Sequence, residues 1–223
     1  MQLRSISSFA GVLGLSVAIL GSAGSASAAG IMRITEWMYN GDEFIEFTNV
    51  GDDSIDLTGW SFDDDSRLAG TVSLSAFGLV GAGESVILAE VSESLFRSSW
   101  GLGASVRIIG SNATNLGRAD EINLFDASSA LVDRLTYNDA IIGGPRTQNL
   151  SANIALANLG LNFANLAVAS FVGDAYGSYA STATFPANPG LYLPIPEPTT
   201  ATLMGLGLLG LAGAGRRVRS ARD

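Results

Sequence analysis

The chain contains no cysteine and no histidine, and all twelve of its basic residues are arginine. Without cysteine there is no disulfide framework, no thiolate metal site and no thiol nucleophile, so stability has to come from packing. Without histidine the chain lacks the commonest general base near neutral pH and the commonest transition-metal ligand. Without lysine, Schiff-base chemistry and a phosphate-cradling P-loop are also excluded. Proline is scarce at 6 residues against 27 glycines, and only 15% of the 223 residues are charged while 47% are hydrophobic. Scattered Val, Ile, Phe and Tyr between glycine-containing turns suit many short strands better than long helices, and the length suits one hydrophobic core.

Charge is placed unevenly. Four arginines fall in the last eight residues and one in the first five, leaving seven to face twenty acids between Gly30 and Pro198. The central region is therefore strongly acidic. Such a surface repels phosphate backbones, which argues against nucleic acid as a partner and leaves divalent cations and glycans open.

The two ends read as processing segments. Arg4 precedes an apolar run through Val12, Leu13, Leu15, Val17, Ala18, Ile19 and Leu20, followed by small residues. Ala26-Ser27-Ala28 fits the small-x-small cleavage rule of a secretory signal peptide, with the cut after Ala28 or after Ala29. The run is short for the roughly 20 residues that a membrane span needs, which disfavours an uncleaved anchor. At the other end Leu193-Pro194-Ile195-Pro196-Glu197-Pro198 leads into the uncharged stretch 199–215 and then Arg216, Arg217, Arg219 and Arg222. The prolines keep the segment extended, the apolar stretch approaches the minimum for a transmembrane helix, and the arginines favour a cytoplasmic far end.

Pro196-Glu197-Pro198, an apolar span and a closing arginine cluster in that order closely resemble the PEP-CTERM sorting signal. The resemblance implies recognition by a membrane-embedded exosortase near the tripeptide, with release or re-anchoring of the protein in a Gram-negative bacterium that makes exopolysaccharide. An ordinary C-terminal anchor behind a proline-rich linker is the alternative.

Between the ends, short apolar runs alternate with turns at intervals of about ten residues, the rhythm of a sandwich or small barrel. Glu43-Phe44-Ile45-Glu46-Phe47-Thr48-Asn49 puts Ile45 and Phe47 on one face and Phe44, Glu46 and Thr48 on the other, which predicts a half-buried strand. Further strands are expected over 54–57, 59–62, 71–74, 85–89, 105–109, 121–125 and 131–137, joined as a meander of antiparallel pairs. Asp56 and Thr58 are expected to fix the turn before Trp60, and Trp60 to anchor the core.

Glu43 to Asn49, then Ile55-Asp56-Leu57-Thr58-Gly59-Trp60, the Gly81-Ala82-Gly83-Glu84 turn with its strand, and Asp120-Glu121-Ile122-Asn123-Leu124 with Leu131-Val132-Asp133-Arg134 together resemble a lamin-tail domain. This implies an immunoglobulin-like antiparallel β-sandwich and a non-catalytic module. The expected organisation is a signal peptide over 1–29, the sandwich over 30–140, an extension and linker over 141–192, and the sorting signal over 193–223 with its transmembrane helix at 199–215. The extension is expected to be partly packed, with a short helix and then a linker from Pro186, and the lamin-tail resemblance implies a closing Pro-Gly turn, a place that Asn188-Pro189-Gly190 fits.

Few residues point to chemistry. Asp63, Asp64 and Asp65, close in sequence to Asp52 and Asp53, are calcium candidates, although they lack the EF-hand spacing and also suit a solvated loop. Glu43 with Glu46, or Asp120 with Glu121, are conceivable acid–base pairs of a hydrolase, but twenty acids supply such pairs by chance, and Glu46 is expected to accept backbone hydrogen bonds at the sheet. No metal site, no cofactor and no catalytic residue is assigned. The expectation is a non-catalytic surface or matrix protein that is processed by an exosortase and associates with exopolysaccharide. The alternatives are a calcium-assisted adhesion or glycan-binding module and, less favoured, a carboxylate-dependent hydrolase.

Overall fold

Among the described residues fourteen strands and one α-helix follow the alternation of apolar runs and turns. They are β1 (Met32–Met38), β2 (Phe44–Asn49), β3 (Ile55–Asp56), β4 (Ser61–Asp63), β5 (Val72–Ser73), β6 (Leu79–Val80), β7 (Ser85–Ala89), α1 (Glu93–Trp100), β8 (Arg107–Ile109), β9 (Ala119–Phe125), β10 (Leu131–Asn138), β11 (Ala152–Asn153), β12 (Val168–Ala169), β13 (Tyr179–Ala180) and β14 (Pro186–Ala187). The computed structural model describes residues 29–193. Ala28, the Pro196-Glu197-Pro198 tripeptide, the 199–215 segment and the four terminal arginines lie outside the described residues. Among the described residues no helix is long and apolar enough to cross a membrane.

The fold is an all-β sandwich. One sheet has six strands in the order β12-β11-β1-β2-β7-β8, the other four in the order β10-β9-β4-β5, and β13-β14 and β3-β6 form small ribbons. Inward-facing side chains from both sheets make one core, with Ile34, Trp37, Ile45, Phe47, Val86 and Leu88 meeting Phe62, Ile122, Leu124 and Leu135. Two irregularities tie the sheets together. β1 shifts register between Ile34 and Glu36, and the Ile34 N–H donates to Asp133 Oδ2 at 3.0 Å. Asp133 lies at a corresponding register shift in β10.

The turn before Trp60 is built as its residues imply. Thr58 donates to Asp56 Oδ1 from its N–H at 2.9 Å and from its hydroxyl at 2.7 Å. Gly59 follows at φ 82°, a backbone conformation that costs little only for glycine. Trp60 is 8% exposed and belongs to the core.

Three expectations are corrected. The strand expected to be half-buried, β2, is buried at all six positions. Its outer face is covered by α1 and by the segment after β10, with Met38, Phe44, Ile87, Phe96, Trp100 and Ala187 forming a second apolar cluster. Phe44 meets Phe96 edge-on at 5.4 Å and Trp100 at 6.2 Å between ring centroids. The meander is also interrupted, because β8 pairs with β7 in parallel and a parallel return needs a crossover, here α1. Ser92 caps that helix by accepting from the Leu95 N–H, and Gly101 closes it in the left-handed conformation.

The third correction concerns the extension. β11 pairs with β1 and β12 with β11, so the extension completes the six-stranded sheet. Its helical content is two 3₁₀ turns, Leu156–Asn158 and Ala164–Leu166. In place of a linker from Pro186 the chain forms β14, and Ala187 and Asn188 are buried. The Tyr192 hydroxyl donates to the Ile154 carbonyl at 3.0 Å. These residues stay packed because they cover the outer face of β1 and β2, which would otherwise expose apolar surface.

Phe47 is 0% exposed at the centre of β2. Its replacement by alanine leaves a cavity between the sheets, and urea unfolding is expected to show a loss of about 3–5 kcal/mol.

Candidate functional site

The outer face of β1 and β2 carries two buried glutamates. The register places Glu36 opposite Glu46, and Asn153 of β11 opposite Glu36 on its other side. Glu36, Glu46 and Asn153 are each 0% exposed. The register shift in β1 turns Thr35 toward the same cluster, where its hydroxyl donates to Glu46 Oε1 at 2.8 Å. Thr48 adds a hydroxyl at 3.3 Å from the same oxygen, and Thr48 is itself linked to Ser85 at 2.8 Å.

The remaining donors come from the extension. The Gly190 N–H donates to Glu46 Oε2 at 2.7 Å, and the Asn188 N–H to Glu36 Oε1 at 3.0 Å. The Ser151 hydroxyl donates to that Glu36 oxygen as well. The Asn153 amide holds the Asn188 side-chain oxygen at 2.7 Å and Ser170 Oγ at 3.1 Å. Glu36 Oε2 is buried without a hydrogen-bond partner.

Among the described residues no arginine forms an ion pair with these carboxyl groups, and the arginine ion pairs engage Glu84, Glu93, Glu121 and Asp139. Burial raises the pKa of Glu36 well above the usual carboxylate range, and the neighbouring Glu46 pushes it further. Burial raises Glu46 too, against the hydroxyl and backbone donors that favour its charged form. Two adjacent desolvated carboxyls do not both ionise readily, so the pair retains a proton well above the pH at which an exposed glutamate loses its own.

Gly190 has φ 86°, and a Cβ there would lie 2.9 Å from Val106 Cγ1. Only glycine combines this backbone conformation with so close an approach to Val106, the residue before β8. Beside the cluster a cleft of about 380 Å³ opens between Thr48–Asp52 and Ala82–Gly83, with Leu156 and Tyr192 on its other side.

The residues singled out by sequence are otherwise dispersed. Asp63 is buried, and its Oδ2 accepts from Ser66 Oγ at 2.7 Å and from the Leu68 N–H at 2.6 Å. Asp64 Oδ1 accepts from the Ser66 N–H at 3.2 Å, and Asp65 is exposed. Among the described residues no three acids are grouped to hold a metal ion. Glu121 is clamped by Arg67 through two bonds of 2.7 and 2.6 Å, and this guanidinium holds its pKa down at about 2. Asp120, the adjacent residue of β9, is raised by burial and accepts from the Gly117 N–H at 2.6 Å. Glu43 accepts from the Leu116 N–H at 2.8 Å, and burial pushes it up to about 8. Glu46, expected to receive backbone donors at the sheet, receives one from the extension instead. Glu36, Ser151 and Asn153 carry no local motif, and a lone acid within an apolar strand is the only trace of them in the sequence.

Comparison with family models places this architecture. The Lamin Tail Domain model matches residues 25–139, more than half of the chain. The chain belongs to the lamin tail domain family. The PEP-CTERM protein-sorting motif matches residues 194–219, covering Pro196, Glu197, Pro198, Arg216, Arg217 and Arg219 and stopping short of Arg222. None of the curated proteins compared matches the chain. The lamin-tail match ends one residue past β10, so the donors that Asn188, Gly190 and Ser151 give to Glu36 and Glu46 come from beyond it. The sorting match begins one residue after Leu193, at the limit of the described body.

Two outcomes follow. Gly190→Ala is expected to lower stability by roughly 1–3 kcal/mol in denaturant titrations, through its positive φ and the contact with Val106. For Glu43, a folded-state pKa above the ordinary value of 4.5 means that the folded chain binds the proton more tightly than the unfolded one. Its contribution is full below that ordinary value and is lost as pH rises through about 8. Glu43→Gln keeps an acceptor for Leu116 and removes this titration, so its melting temperature should fall less than wild type between mildly acidic and mildly alkaline pH, by an amount equivalent to a few kcal/mol.

Proposed function

We propose that this chain is an exported surface protein whose lamin-tail sandwich serves as a non-catalytic structural or binding module in the extracellular polymer, delivered there by exosortase processing. The PEP-CTERM match implies export and exosortase recognition at the membrane of a Gram-negative bacterium, and both matched families are sorting or structural domains. The observation that carries the reading is adjacency. Packing extends to Tyr192, whose hydroxyl donates to the Ile154 carbonyl, and the sorting match starts at 194, so the matched segment follows closely on packed residues.

Exopolysaccharide is the partner we infer. A body with seven arginines against twenty acids disfavours polyanionic nucleic acid and keeps the protein soluble outside the cell. Ala28 and Ala29 serve as the signal-cleavage site, and Pro196, Glu197 and Pro198 as the exosortase recognition element with Arg216, Arg217, Arg219 and Arg222 held in the cytoplasm. Among the described residues Asp63, Asp64 and Asp65 are not grouped with one another as acidic ligands, which makes the calcium-assisted reading the second choice. The hydrolase reading finds its acids engaged separately, Glu121 with Arg67 and Glu43 with Leu116.

Expression in an exosortase-bearing host, with intact-mass measurement of the mature protein and of Glu197→Ala, tests the sorting step. Wild type should lose the residues after the tripeptide region and leave the inner membrane, while the variant should keep its tail there. If both retain the tail, the segment is an anchor only. Co-sedimentation of the processed protein with the host's purified exopolysaccharide tests the partner, and recovery in the unbound fraction rules it out.

A further inference from the structure

Exposed apolar side chains are gathered in one part of the chain. Among the described residues, eleven of the fifteen large hydrophobic side chains that face solvent lie after residue 140. They include Leu161, Phe163, Leu166, Phe171, Val172 and Leu193, with Phe171 and Val172 each 61% exposed. Single apolar residues are ordinary on a surface, whereas a group of them marks a contact.

The fold brings these residues to one side of the sandwich. Residues 154–167 run between β1 and β10. The Ile154 N–H donates to the Thr35 carbonyl, Asn162 Oδ1 accepts from the Thr136 N–H, and the Ala164–Leu166 turn packs on β10. β12 then forms the outermost strand of the six-stranded sheet, with Val168 and Ala169 both exposed. Phe171 and Val172 follow it directly, entering a turn that the Gly173 N–H closes on the Ser178 carbonyl. The last described residues return to both parts of this edge. The Tyr192 hydroxyl donates to the Ile154 carbonyl, and a Cβ added to Gly177 would lie 3.5 Å from Leu193 Cδ1.

The same edge is without charge. Eighteen of the twenty acids between Gly30 and Pro198 precede residue 140, and from 147 to 193 the one charged side chain is Asp174. Its carboxylate accepts from the N–H groups of Phe171, Tyr176 and Ser178. Edge strands of soluble proteins are commonly guarded by charged side chains, and β12 has none.

We propose that this apolar edge rests in the interfacial layer of the membrane while the C-terminal segment is anchored there, so that the sandwich lies on the bilayer with its acidic faces turned away. The contact rests on the sorting reading, which puts 199–215 in the bilayer. Two observations favour lipid as the occupant. Six residues separate Leu193 from Thr199 and span at most about 20 Å, so the edge that includes Leu193 is held beside any membrane that holds the tail. Anionic headgroups repel an acidic surface, and the face that can approach them closely is the uncharged one. A tether this short makes the second contact intramolecular, so a small apolar edge suffices. Lasting membrane attachment takes two signals, and removal of the tail therefore leaves the edge to let go.

The chain has no cysteine, so one introduced cysteine carries an environment-sensitive fluorophore at a chosen position. The full chain in phosphatidylethanolamine–phosphatidylglycerol nanodiscs, with nitroxide-labelled lipid as quencher, tests the contact. Labels on Leu166→Cys and on Phe171→Cys should emit to the blue of a label on Ser73→Cys in β5, at the far edge of the other sheet, and be quenched severalfold more strongly. Both changes are at exposed positions and should leave the melting temperature unaltered. Adding Leu161→Glu and Val172→Glu should cut the quenching at position 166 severalfold. A label on Leu206→Cys reports insertion of the tail. If that label is quenched while those at 166 and 171 behave as the one at 73, the edge stays in water and the contact is overturned with the sorting reading intact. If the label at 206 is not quenched, the tail is outside the bilayer, and the membrane step of the sorting reading falls together with the contact. Blue emission at 171 that lipid quencher does not touch, with excimers from pyrene at that position, assigns the edge to a second copy of the chain and overturns the contact as well.

Discussion

The structure depends on keeping two carboxyl groups out of water on the outer face of β1 and β2. Moving an ionised carboxylate into a protein interior costs several kcal/mol even after relaxation, so this face is stable only if donors or a proton meet both groups. Thr35 and Thr48 supply part of that need from the sheet. The rest arrives from Ser151, Asn188 and Gly190, which fixes where the chain must run after β10. The extension is thus bound by a polar requirement as well as by apolar cover.

The same face explains how a chain without disulfides builds two apolar clusters around one sheet. β2 is buried on both sides, as central strands of covered sheets are, with the sandwich core beneath it and Phe44, Phe96 and Trp100 above. Helix α1 performs two tasks at once. It provides the crossover that lets β8 join β7 in parallel, and it lays Phe96 and Trp100 over Phe44. β11 and β12 extend the other side of the sheet and carry Asn153 into the acid cluster.

The sandwich was legible in sequence because its evidence is local. Alternation located β2, β7 and β10 to within a residue, and the Asp56–Thr58 turn followed from side chains two residues apart. The sorting signal was legible for a similar reason, since its prolines, apolar run and arginines stand in linear order. What covers the outer face was not legible. Alternation assigns Glu46 to a side of the strand but says nothing of what lies on that side, and its decisive partner, Gly190, is 144 residues away. Helix α1 left a fainter trace. Ser92 and Gly101 are ordinary cap residues, but eight residues with two buried aromatics give too short a run for periodicity to stand out.

The absence of histidine bears on how such a molecule can respond to protons at all. A chain without imidazole has no side chain whose ordinary pKa lies near neutrality, so any response in that range must come from acids displaced upward. Two arrangements in the fold do this by different means. Glu43 is raised to about 8 chiefly by burial, with Glu90 and Asp120 as nearby charges. Glu36 and Glu46 add direct coupling across a strand pair to their own burial. The first lies by the loop that contains Leu116, the second beneath the turn that precedes the sorting segment. In both, the N–H donors present favour the charged form, so it is burial, and for the pair the repulsion between its members, that holds the proton.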